Sequence, residues 1–366
     1  MRIALVVTGG VDPSGRQFVI PALLWLIERL AREHTVTVYA LQKDRQPSVY
    51  RLLGATVRDL GSPRGLWRQT RALLAALRQD GPFDAVHAYW ALPGGLAAAI
   101  AGRRLGVPVI VTCDSGEFVA RPDIGYGLQW RRRQRWAVAL ATRLATRVTV
   151  CTEYQARLAT ACGVRDVAIV PLGVPASLFP PGDRAEGPPW RLLQVANLNP
   201  VKDQATLLTA IAELERAGVP VHLDLIGVDT MAGQVQQLAR ELGVERQVTF
   251  HGALPTDALV TFYQQTHLAV LSSRHEAAGV VVLEAATAGV PTVGTQVGYV
   301  HDWAPAGAAV AVPIADPHAL AAAIADLLAD RERRRAIAQV ARTRTLTHDA
   351  DWTARQFARL YASPRA

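Results

Sequence analysis

Short apolar runs alternate with longer helical patterns from one end of the chain to the other. RIALVV, TVTVYAL and VPVIVTC are typical of buried strands, and stretches such as QFVIPALLWLIERLAREH have helical length and period. Parallel strands need a crossover connection, which usually contains a helix. The alternation therefore predicts an α/β fold in which parallel sheets are covered by helices on both faces.

The segment GVPASLFPPGDRAEGPPW, residues 173–190, interrupts this alternation. Proline lacks an amide proton and resists helices and central strands, so we interpret the segment as a linker. A chain of 366 residues is also too long for one ordinary core. We expect two doubly wound, Rossmann-like domains, 1–178 and 179–348, and a helix over 349–366 that packs back on the first domain. Ligands bind at the carboxyl ends of such strands, so a cleft across which the domains face is the expected site.

The charge balance limits the class of partner. The net charge of +8 and the pI near 9.8 favour anionic partners, which are nucleotides, acidic lipids or nucleic acid. Aromatic residues make up only 6% of the chain and no basic-aromatic motif occurs, so we expect no nucleic acid partner.

Cysteine and histidine usage argues against disulfide and metal sites. The three cysteines, Cys113, Cys151 and Cys162, form no CxxC pair, and the nine histidines show no HExxH pattern. The N-terminal run MRIALVVTGG is shorter than the apolar region of a signal peptide, and no apolar run reaches the roughly 18 residues of a membrane span. We expect a cytoplasmic protein without a metal, with peripheral contact at the inner membrane face left open.

The stretch SSRHEAAGVVVLEAATAGVP, residues 272–291, is mostly small and apolar yet carries two acids. Glu276 comes just after a predicted strand, and Glu284 lies within the following predicted helix. The amides of Ala278, Gly279 and Val280 would be free at the helix N-terminus and could bind a phosphate. The acids would then bind sugar or ribose hydroxyls, or both are ordinary acids and Glu276 stabilises the helix dipole. The spacing alone leaves both interpretations open.

This stretch resembles the E-x7-E signature of retaining glycosyltransferases of family four, which have the GT-B fold. Further segments resemble the family in the family's order: FDAVHAYWALPGGLAAAIAGRRLGVPVIVT, VAIVPLGVPASLFPP, LLQVANLNPVKDQATLLTAIAEL and DPHALAAAIADLLAD. The resemblance covers nearly the whole chain. It implies a hexosyltransferase-type enzyme that moves a sugar, with retention and without a metal or cofactor, from a nucleotide diphosphate sugar to a hydroxyl of a glycan, lipid or metabolite.

The resemblance also implies roles for single residues. The second domain would bind the donor and the first would face the acceptor. Glu276 would contact the transferred sugar, and Glu284 the ribose. Lys202 and the amides of 278–280 would bind the diphosphate, where an ammonium neutralises charge that develops on the leaving group. Gly15 would lie beside the donor phosphates.

Two positions depart from the family pattern. Asn197 stands where the family usually has an arginine, and an asparagine offers a hydrogen bond without a charge or a bidentate fork. Asp114 stands where the family commonly has a histidine. It would either bind hydroxyls of the donor or acceptor as a catalytic residue or cap the following segment. These departures motivate one alternative, a non-catalytic GT-B binding protein, beside a second, a nucleotide-sugar epimerase.

The segment QWRRRQRWAVALATRLATR, residues 129–147, is basic and then apolar and contains two tryptophans. Such a helix could lie on an anionic membrane surface. The other interpretation, a solvated basic face beside a packed helix, is the one that the sequence favours.

Overall fold

The computed structural model describes residues 1–41, 46–61 and 63–363. The chain divides into two compact units, Met1–Gly173 with Ala350–Ala366, and Val174–Asp349. The division at Gly173 falls at the start of the proline-rich segment, a few residues before the predicted boundary at 178. Residues 364–366 of the predicted tail helix lie outside the described residues.

The first unit is built on one sheet, which in the described residues has eight strands. They are β1 (Arg2–Val7), β2 (Thr35–Ala40), β3 (Ser48–Leu52), β4 (Ala55–Asp59), β5 (Ala85–Tyr89), β6 (Val109–Thr112), β7 (Arg147–Val150) and β8 (Val167–Ile169). The order across the sheet is β3-β4-β2-β1-β5-β6-β7-β8. The strand order reverses between β1 and β5, as it does in doubly wound folds.

All neighbouring strands of this sheet are parallel except β3 and β4, which pair antiparallel. The sequence alternation did not predict this hairpin. Its turn residues Leu53 and Gly54 both have positive φ, 50° and 85°. Two consecutive positive φ angles are typical of the tight turns that join antiparallel strands.

Helices cover both faces of the first sheet. They are α1 (Pro21–Glu33), α2 (Leu66–Asp80), α3 (Leu96–Leu105), α4 (Arg132–Leu144) and α5 (Glu153–Ala161). The side chains of β1 alternate between the two layers, as the two-residue period of a strand requires. Ile3 and Leu5 share one buried cluster with α1, whereas Ala4 and Val6 share another with α2 and α3.

The second unit has its own parallel sheet, with six strands in the described residues. They are β9 (Trp190–Val195), β10 (Val221–Ile226), β11 (Val248–Phe250), β12 (Leu268–Leu271), β13 (Thr292–Thr295) and β14 (Val310–Val312). The order is β11-β10-β9-β12-β13-β14. The chain proceeds outward from β9 in one direction and from β12 in the other. The loops that follow these two strands therefore diverge and leave a crevice between them, where ligands of such sheets bind.

Seven helices of the described chain surround the second sheet. They are α6 (Gln204–Arg216), α7 (Gln234–Glu241), α8 (Thr256–Gln265), α9 (Val280–Thr287), α10 (Gly298–Trp303), α11 (Pro317–Ala329) and α12 (Arg331–Thr347). Leu207 and Ile211 of α6 pack with Leu320 and Ile324 of α11 over one face of the sheet. This arrangement, like that of the first unit, confirms the predicted α/β class.

The tail helix, α13 (Ala350–Ala362), belongs to the first unit and packs against α1. Thr353 Oγ1 donates to the carbonyl of Pro171 at 2.7 Å and accepts from the amide of Gly173 at 2.9 Å. Tyr361 Oη lies 2.7 Å from Nδ1 of the fully buried His87 on β5. The tail is therefore anchored by hydrogen bonds at both ends as well as by its buried apolar face.

Candidate functional site

The loop after β9 is shaped by its own side chains. Asn199 Oδ1 accepts from the amides of Val201 at 3.0 Å and Lys202 at 3.1 Å, which folds the segment into a turn. Asp203 then caps α6 by accepting from the amide of Thr206 at 3.3 Å. Lys202 is thereby held at the carboxyl edge of the sheet, immediately before the helix begins.

The loop after β12 is hydrogen-bonded to the loop after β9. Ser272 Oγ donates to the carbonyl of Lys202 at 2.8 Å, and the amide of Arg274 donates to the carbonyl of Val201 at 2.7 Å. Arg274 Nε also contacts Asp203 Oδ2 at 3.0 Å. The two loops at the point where the strand order reverses therefore form one connected structure.

Lys202 and Glu276 meet at this junction. Lys202 Nζ lies 2.5 Å from Glu276 Oε1, and Ser273 Oγ donates to the same oxygen at 2.6 Å. The side chains are 26% and 11% exposed, so the pair is sheltered and still reachable from solvent. The sequence predicted both residues as site residues, and the structure brings them together. The sequence did not predict Ser273 as a site residue, because its hydrogen bond to Glu276 cannot be inferred from spacing.

Helix α9 begins beside this pair with its first amides open. In the described part of the chain, no group accepts a hydrogen bond from the amides of Ala278, Gly279 or Val280. Gly279 has φ of +82°, which an L side chain rarely adopts. Open amides and the helix dipole favour an anion here. The side chain of Glu276, which pairs with Lys202, lies directly beside Gly279.

The backbone of Gly298 packs closely against the start of α9, at the carbonyl group of Ala278. Its φ is +51°, and a Cβ at this position would lie 2.3 Å from the carbonyl oxygen of Ala278. The amide of Tyr299 donates to that same carbonyl at 2.8 Å. The close approach requires glycine and fixes the turn that presents the open amides.

Glu284 lies further along α9 and is buried, with 5% of its surface exposed. Tyr263 Oη donates to its Oε2 at 2.8 Å. Burial raises the pKa of the Glu284 carboxyl to about 7, and the hydrogen bond from Tyr263 opposes the rise. Among the described residues, no hydrogen bond joins Glu284 to Glu276 or Lys202, so the structure does not bring the two predicted acids into direct contact.

Asn197 is exposed and lies in the loop after β9. Its Oδ1 accepts from the amide of Val228 at 3.0 Å, and its backbone carbonyl accepts from Gln204 Nε2 at 3.3 Å. The side-chain NH2 group donates to nothing in the described part of the chain. That group remains able to donate to a ligand.

The two predicted residues of the first unit lie after its own strands. Asp114 follows β6, and the thiol of Cys151 donates to its Oδ1 at 3.3 Å. Burial, together with the Asp114 carboxylate, raises the pKa of the Cys151 thiol, so the thiol stays protonated. Gly15 lies in the loop after β1 with φ of +64°, and its amide donates to the carbonyl of Asp12 at 2.9 Å.

The first unit also contains a pocket that the sequence did not reveal. Its volume is about 330 Å³, and its walls include Trp90, Tyr126, Trp130, Arg131 and Gln134. The basic run at 129–147 was visible in the sequence. The sequence did not show that the start of this run lines a pocket together with the loops after β5 and β6.

No group of three or more histidine, cysteine, aspartate or glutamate side chains is arranged to bind a metal ion within residues 1–41, 46–61 and 63–363. Over those same ranges, no helix combines the length and apolarity that crossing a membrane requires.

Both halves of the chain match known families. Residues 19–175 match the Glycosyl transferase 4-like domain, and residues 181–344 match Glycosyl transferases group 1. A D-inositol 3-phosphate glycosyltransferase of Geodermatophilus obscurus is 30% identical over 333 residues, which cover 80% of this chain and 73% of that relative. The chain belongs to the group 1 glycosyltransferase family. Nucleotide-sugar-dependent glycosyl transfer, the predicted function, is thereby confirmed at the level of the family.

Solved structures agree with the fold of this glycosyltransferase. Sucrose-phosphate synthase from Thermosynechococcus elongatus superposes with a TM-score of 0.83 at 20% identity, over 100% of this chain and 99% of that one. Anabaena HepE in complex with UDP and glucose gives a TM-score of 0.76 at 17% identity, over 98% and 99% of the two chains. The predicted GT-B fold is confirmed.

Proposed function

We propose that this glycosyltransferase moves a hexosyl group from a nucleotide diphosphate sugar to an acceptor hydroxyl, with retention and without a metal ion. The observation that carries the proposal is the Lys202–Glu276 pair beside the open amides of Ala278, Gly279 and Val280. An ammonium and a helix N-terminus can together bind a diphosphate without a metal ion. The complex of Anabaena HepE with UDP and glucose supports this class of donor.

Donor binding would rearrange the charges of the site. In the free protein, Glu276 neutralises Lys202 at 2.5 Å. A diphosphate carries more negative charge than one carboxylate, so it would attract the ammonium toward the amides at the start of α9. Glu276 would then be released to accept hydrogen bonds from hydroxyls of the transferred sugar. The Lys202 ammonium would also stabilise the charge that develops on the leaving diphosphate.

The remaining predicted residues complete this proposal. The NH2 group of Asn197 would donate to the donor, although it lacks the charge of an arginine. Glu284 would bind the ribose through the carboxyl oxygen that Tyr263 does not use. Gly15 and Asp114 would contribute from the first unit, Gly15 next to the donor phosphates and Asp114 to hydroxyls of the donor or acceptor. Retention would follow front-face attack assisted by the leaving phosphate, without an enzyme nucleophile.

Hydrolysis of the donor tests the reaction without knowledge of the acceptor. We would follow UDP-, GDP- and ADP-glucose, in separate samples with chelator, by proton NMR at early times. The proposal predicts that α-glucose appears first from one of these donors. β-Glucose as the first product would contradict retention, a requirement for added metal would contradict metal independence, and an epimerised donor would indicate the epimerase alternative.

We further propose that 129–147 makes peripheral contact with anionic membranes. Trp136 and Leu140, one turn apart on α4, are 73% and 45% exposed. Arg132 and Arg133 are exposed beside them, and neither has an ion-pair partner in the described chain. Exposed apolar side chains among unpaired cations are typical of helices that lie at an anionic interface. The sequence alone favoured a solvated basic face beside a packed helix, because it did not show that the apolar side chains of Trp136 and Leu140 are exposed.

Vesicle sedimentation tests this contact. The protein should sediment with phosphatidylglycerol vesicles and stay in solution with phosphatidylcholine vesicles. The double variant Trp136→Ser/Leu140→Ser should lose the association while it keeps its melting temperature, because both side chains are exposed. Unchanged sedimentation of that variant would remove α4 from the contact.

A further inference from the structure

The second unit contains a pocket at the edge of its sheet that lies opposite the proposed donor site. The volume of this pocket is about 310 Å³. Its wall includes His267, which directly precedes β12, and Pro291, which directly precedes β13. The strands are parallel, so these residues mark the amino edge of the sheet, whereas Lys202 and Glu276 follow strands at the carboxyl edge. A ligand in this pocket would therefore be separate from the donor and from the transfer reaction.

Two arginines of the wall are held in place by carbonyl groups of the backbone. The Arg184 guanidinium donates to the carbonyls of Thr266 at 2.8 Å and Ala288 at 3.1 Å, which ties the proline-rich segment to the start of β12 and the end of α9. Arg334 is 7% exposed and donates to the carbonyl of Leu327 at 2.9 Å. A carbonyl group accepts a hydrogen bond from a guanidinium without neutralising it. Both positive charges therefore stay beside the pocket.

Glu186 already binds part of this cationic wall. One oxygen of its carboxylate contacts Arg334, and the other lies 3.1 Å from Nε of Arg331. Guanidinium groups pair with carboxylates and with phosphates through the same N–H donors. The Glu186 side chain is 43% exposed, so solvent reaches it. A phosphate would therefore find a place where the chain itself holds an anion, and it would displace only an exposed carboxylate.

Two arginines at the start of α12 have N–H groups available to a ligand. Within the described residues, no acceptor contacts the terminal nitrogens of Arg331. Arg335 pairs with Glu332 at 3.4 Å, and the two side chains are 60% and 85% exposed. An exposed pair of this kind contributes little to stability. Because residues four apart lie on the same face of a helix, Arg331 and Arg335 line the pocket together.

The charge of the lining limits the class of ligand. His267 stays neutral, because burial lowers its pKa and its Nδ1 accepts from the amide of Arg191 at 2.9 Å. The four arginines of the lining exceed its two acids, Asp183 and Glu186, by two positive charges. A phosphate monoester carries roughly −1.5 to −2 charges at pH 7, which matches this excess. The volume lies at the lower end of the range of small-molecule sites and leaves room for a small organic group.

We propose that this pocket is a second anion site, which binds the phosphate group of a small phosphate monoester outside the catalytic cycle. The phosphate would pair with Arg331 and Arg335 and displace the Glu186 carboxylate from Arg331. The organic part would lie against Pro181 and Pro291, which also line the pocket. A free phosphorylated metabolite and the headgroup of phosphatidic acid share the required chemistry.

Calorimetric titration of the full-length protein with glycerol 3-phosphate, against glycerol as the neutral partner, tests the proposal. Wild type and Lys202→Met are both titrated, because the variant impairs the proposed donor site. We expect the ester to bind at least roughly tenfold more tightly than glycerol in both proteins, the gain of one charge-assisted contact. In vesicle sedimentation, a preference for phosphatidic acid over phosphatidylglycerol would assign a lipid headgroup, and binding of the soluble ester alone would assign a free metabolite.

Two double variants of α12 separate the pocket from general charge. Arg331→Gln/Arg335→Gln should abolish the preference for the ester and keep the melting temperature, because both side chains are exposed. Arg333→Gln/Arg344→Gln removes two exposed charges of the same helix outside the pocket and should keep the preference. Equal losses in the two double variants would overturn the proposal, as would the absence of binding in both the ester and the vesicle experiments.

Glu186→Gln tests the competition within the pocket. Glutamine keeps an oxygen for Arg334 but removes the competing charge, so the affinity for the ester should rise roughly threefold or more. Glu245→Gln, which changes an exposed acid elsewhere in the second unit, should leave the affinity unchanged. Loss of ester binding in Lys202→Met would place the ester at the donor site and overturn the proposal. Ester binding that persists when no nucleotide binds would count against the donor site alone.

Discussion

Lys202 and Glu276 stand 74 residues apart in the sequence, and their side chains form an ion pair 2.5 Å long. Each follows one of the two strands between which the order of the second sheet reverses. A sheltered pair of this kind is costly to build unless further hydrogen bonds satisfy it, and Ser273 supplies one. We propose that the pair is a resting state, which an anionic donor opens.

From the Lys202–Glu276 ion pair we predict how Glu276→Gln changes the transfer rate and the nucleotide affinity. Glutamine keeps the shape of the side chain but removes the charge that holds Lys202, so the ammonium becomes free for the diphosphate. We expect the transfer rate to fall by roughly 100-fold or more, as it does when one group that stabilises a transition state is lost. The Kd for the nucleotide should stay equal or decrease.

Steady-state kinetics and nucleotide titration measure these two effects separately. Glu245→Gln, which changes an exposed acid elsewhere in the second unit, is the matched control and should be silent. Full turnover by Glu276→Gln would refute the role given to Glu276.

Gly298→Ala tests the backbone that presents the open amides. Alanine at this position would place Cβ 2.3 Å from the carbonyl oxygen of Ala278, so the start of α9 must shift. We expect nucleotide affinity to fall roughly tenfold, because the amides no longer converge on the anion. Titration of the variant with its best nucleotide is the measurement.

Gly307→Ala is the control for Gly298→Ala. Its φ is also positive, at +69°, but no atom lies within 4 Å of the added Cβ. It should cost about 1–2 kcal/mol of stability from backbone strain and leave affinity unchanged. Equal affinity losses in the two variants would show that strain, rather than the position of α9, controls binding.

Glu284→Gln should stabilise the protein at alkaline pH. Burial raises the pKa of Glu284 to about 7 in the folded protein, above its ordinary value of 4.5. The unfolded chain therefore releases this proton more readily, and the stability of the wild type falls as pH rises from about 4.5 to 7. Glutamine resembles the protonated acid. The free energy of unfolding of Glu284→Gln should therefore exceed that of the wild type by roughly 3 kcal/mol at pH 8 and by under about 1 kcal/mol at pH 5.

Urea unfolding at the two pH values measures this difference. Glu241→Gln, which removes an exposed acid, should show no such pH-dependent gain. A destabilised Glu284→Gln at pH 8 would mean that the folded protein stabilises the ionised carboxylate.

His87 should make the first unit sensitive to acid. Burial lowers its pKa from 6.5 to about 3, and its two nitrogens contact Tyr361 and Thr112. Below about pH 6.5, His87 becomes protonated in the unfolded chain but stays neutral in the folded chain. Stability therefore falls as pH decreases. Between pH 7.5 and pH 5 this one group should remove roughly 2 kcal/mol.

His87→Gln removes the titrating group and keeps hydrogen-bonding capacity at the same place. Its free energy of unfolding should be lower at pH 7.5, and its further loss between pH 7.5 and pH 5 should be smaller than in the wild type. An identical pH dependence in the two proteins would assign the acid sensitivity to other groups.

Much of the fold was predictable from the sequence because buried parallel strands and their covering helices each have a recognisable period. The β3–β4 hairpin was not, since Leu53 adopts a conformation that its side chain does not favour. The positions of Glu276 and Lys202 at strand ends followed from the same periodicity, but their pairing depends on the strand order, which no local pattern reports. Lys202 is one of only two lysines in a chain that otherwise uses arginine. That rarity could have marked Lys202 as a site residue in the sequence.

The burial of Glu284 and the pocket of the first unit were not predictable from the sequence for a different reason. The carboxyl of Glu284 is enclosed because Tyr263, on a separate helix, reaches it. The pocket combines Trp90 with Trp130 and Arg131, which lie on different loops. Contacts between segments decide both features, and spacing within one segment contains no information about them.

The proposed donor site is tested by calorimetric titration of wild type and Lys202→Met with UDP, GDP and ADP in the presence of chelator. One nucleotide should bind the wild type without metal, and Lys202→Met should weaken its binding roughly tenfold or more, as expected for a lost charge-assisted contact. An equal Kd in the two proteins, or no binding of any nucleotide by the wild type, would contradict the proposed donor site.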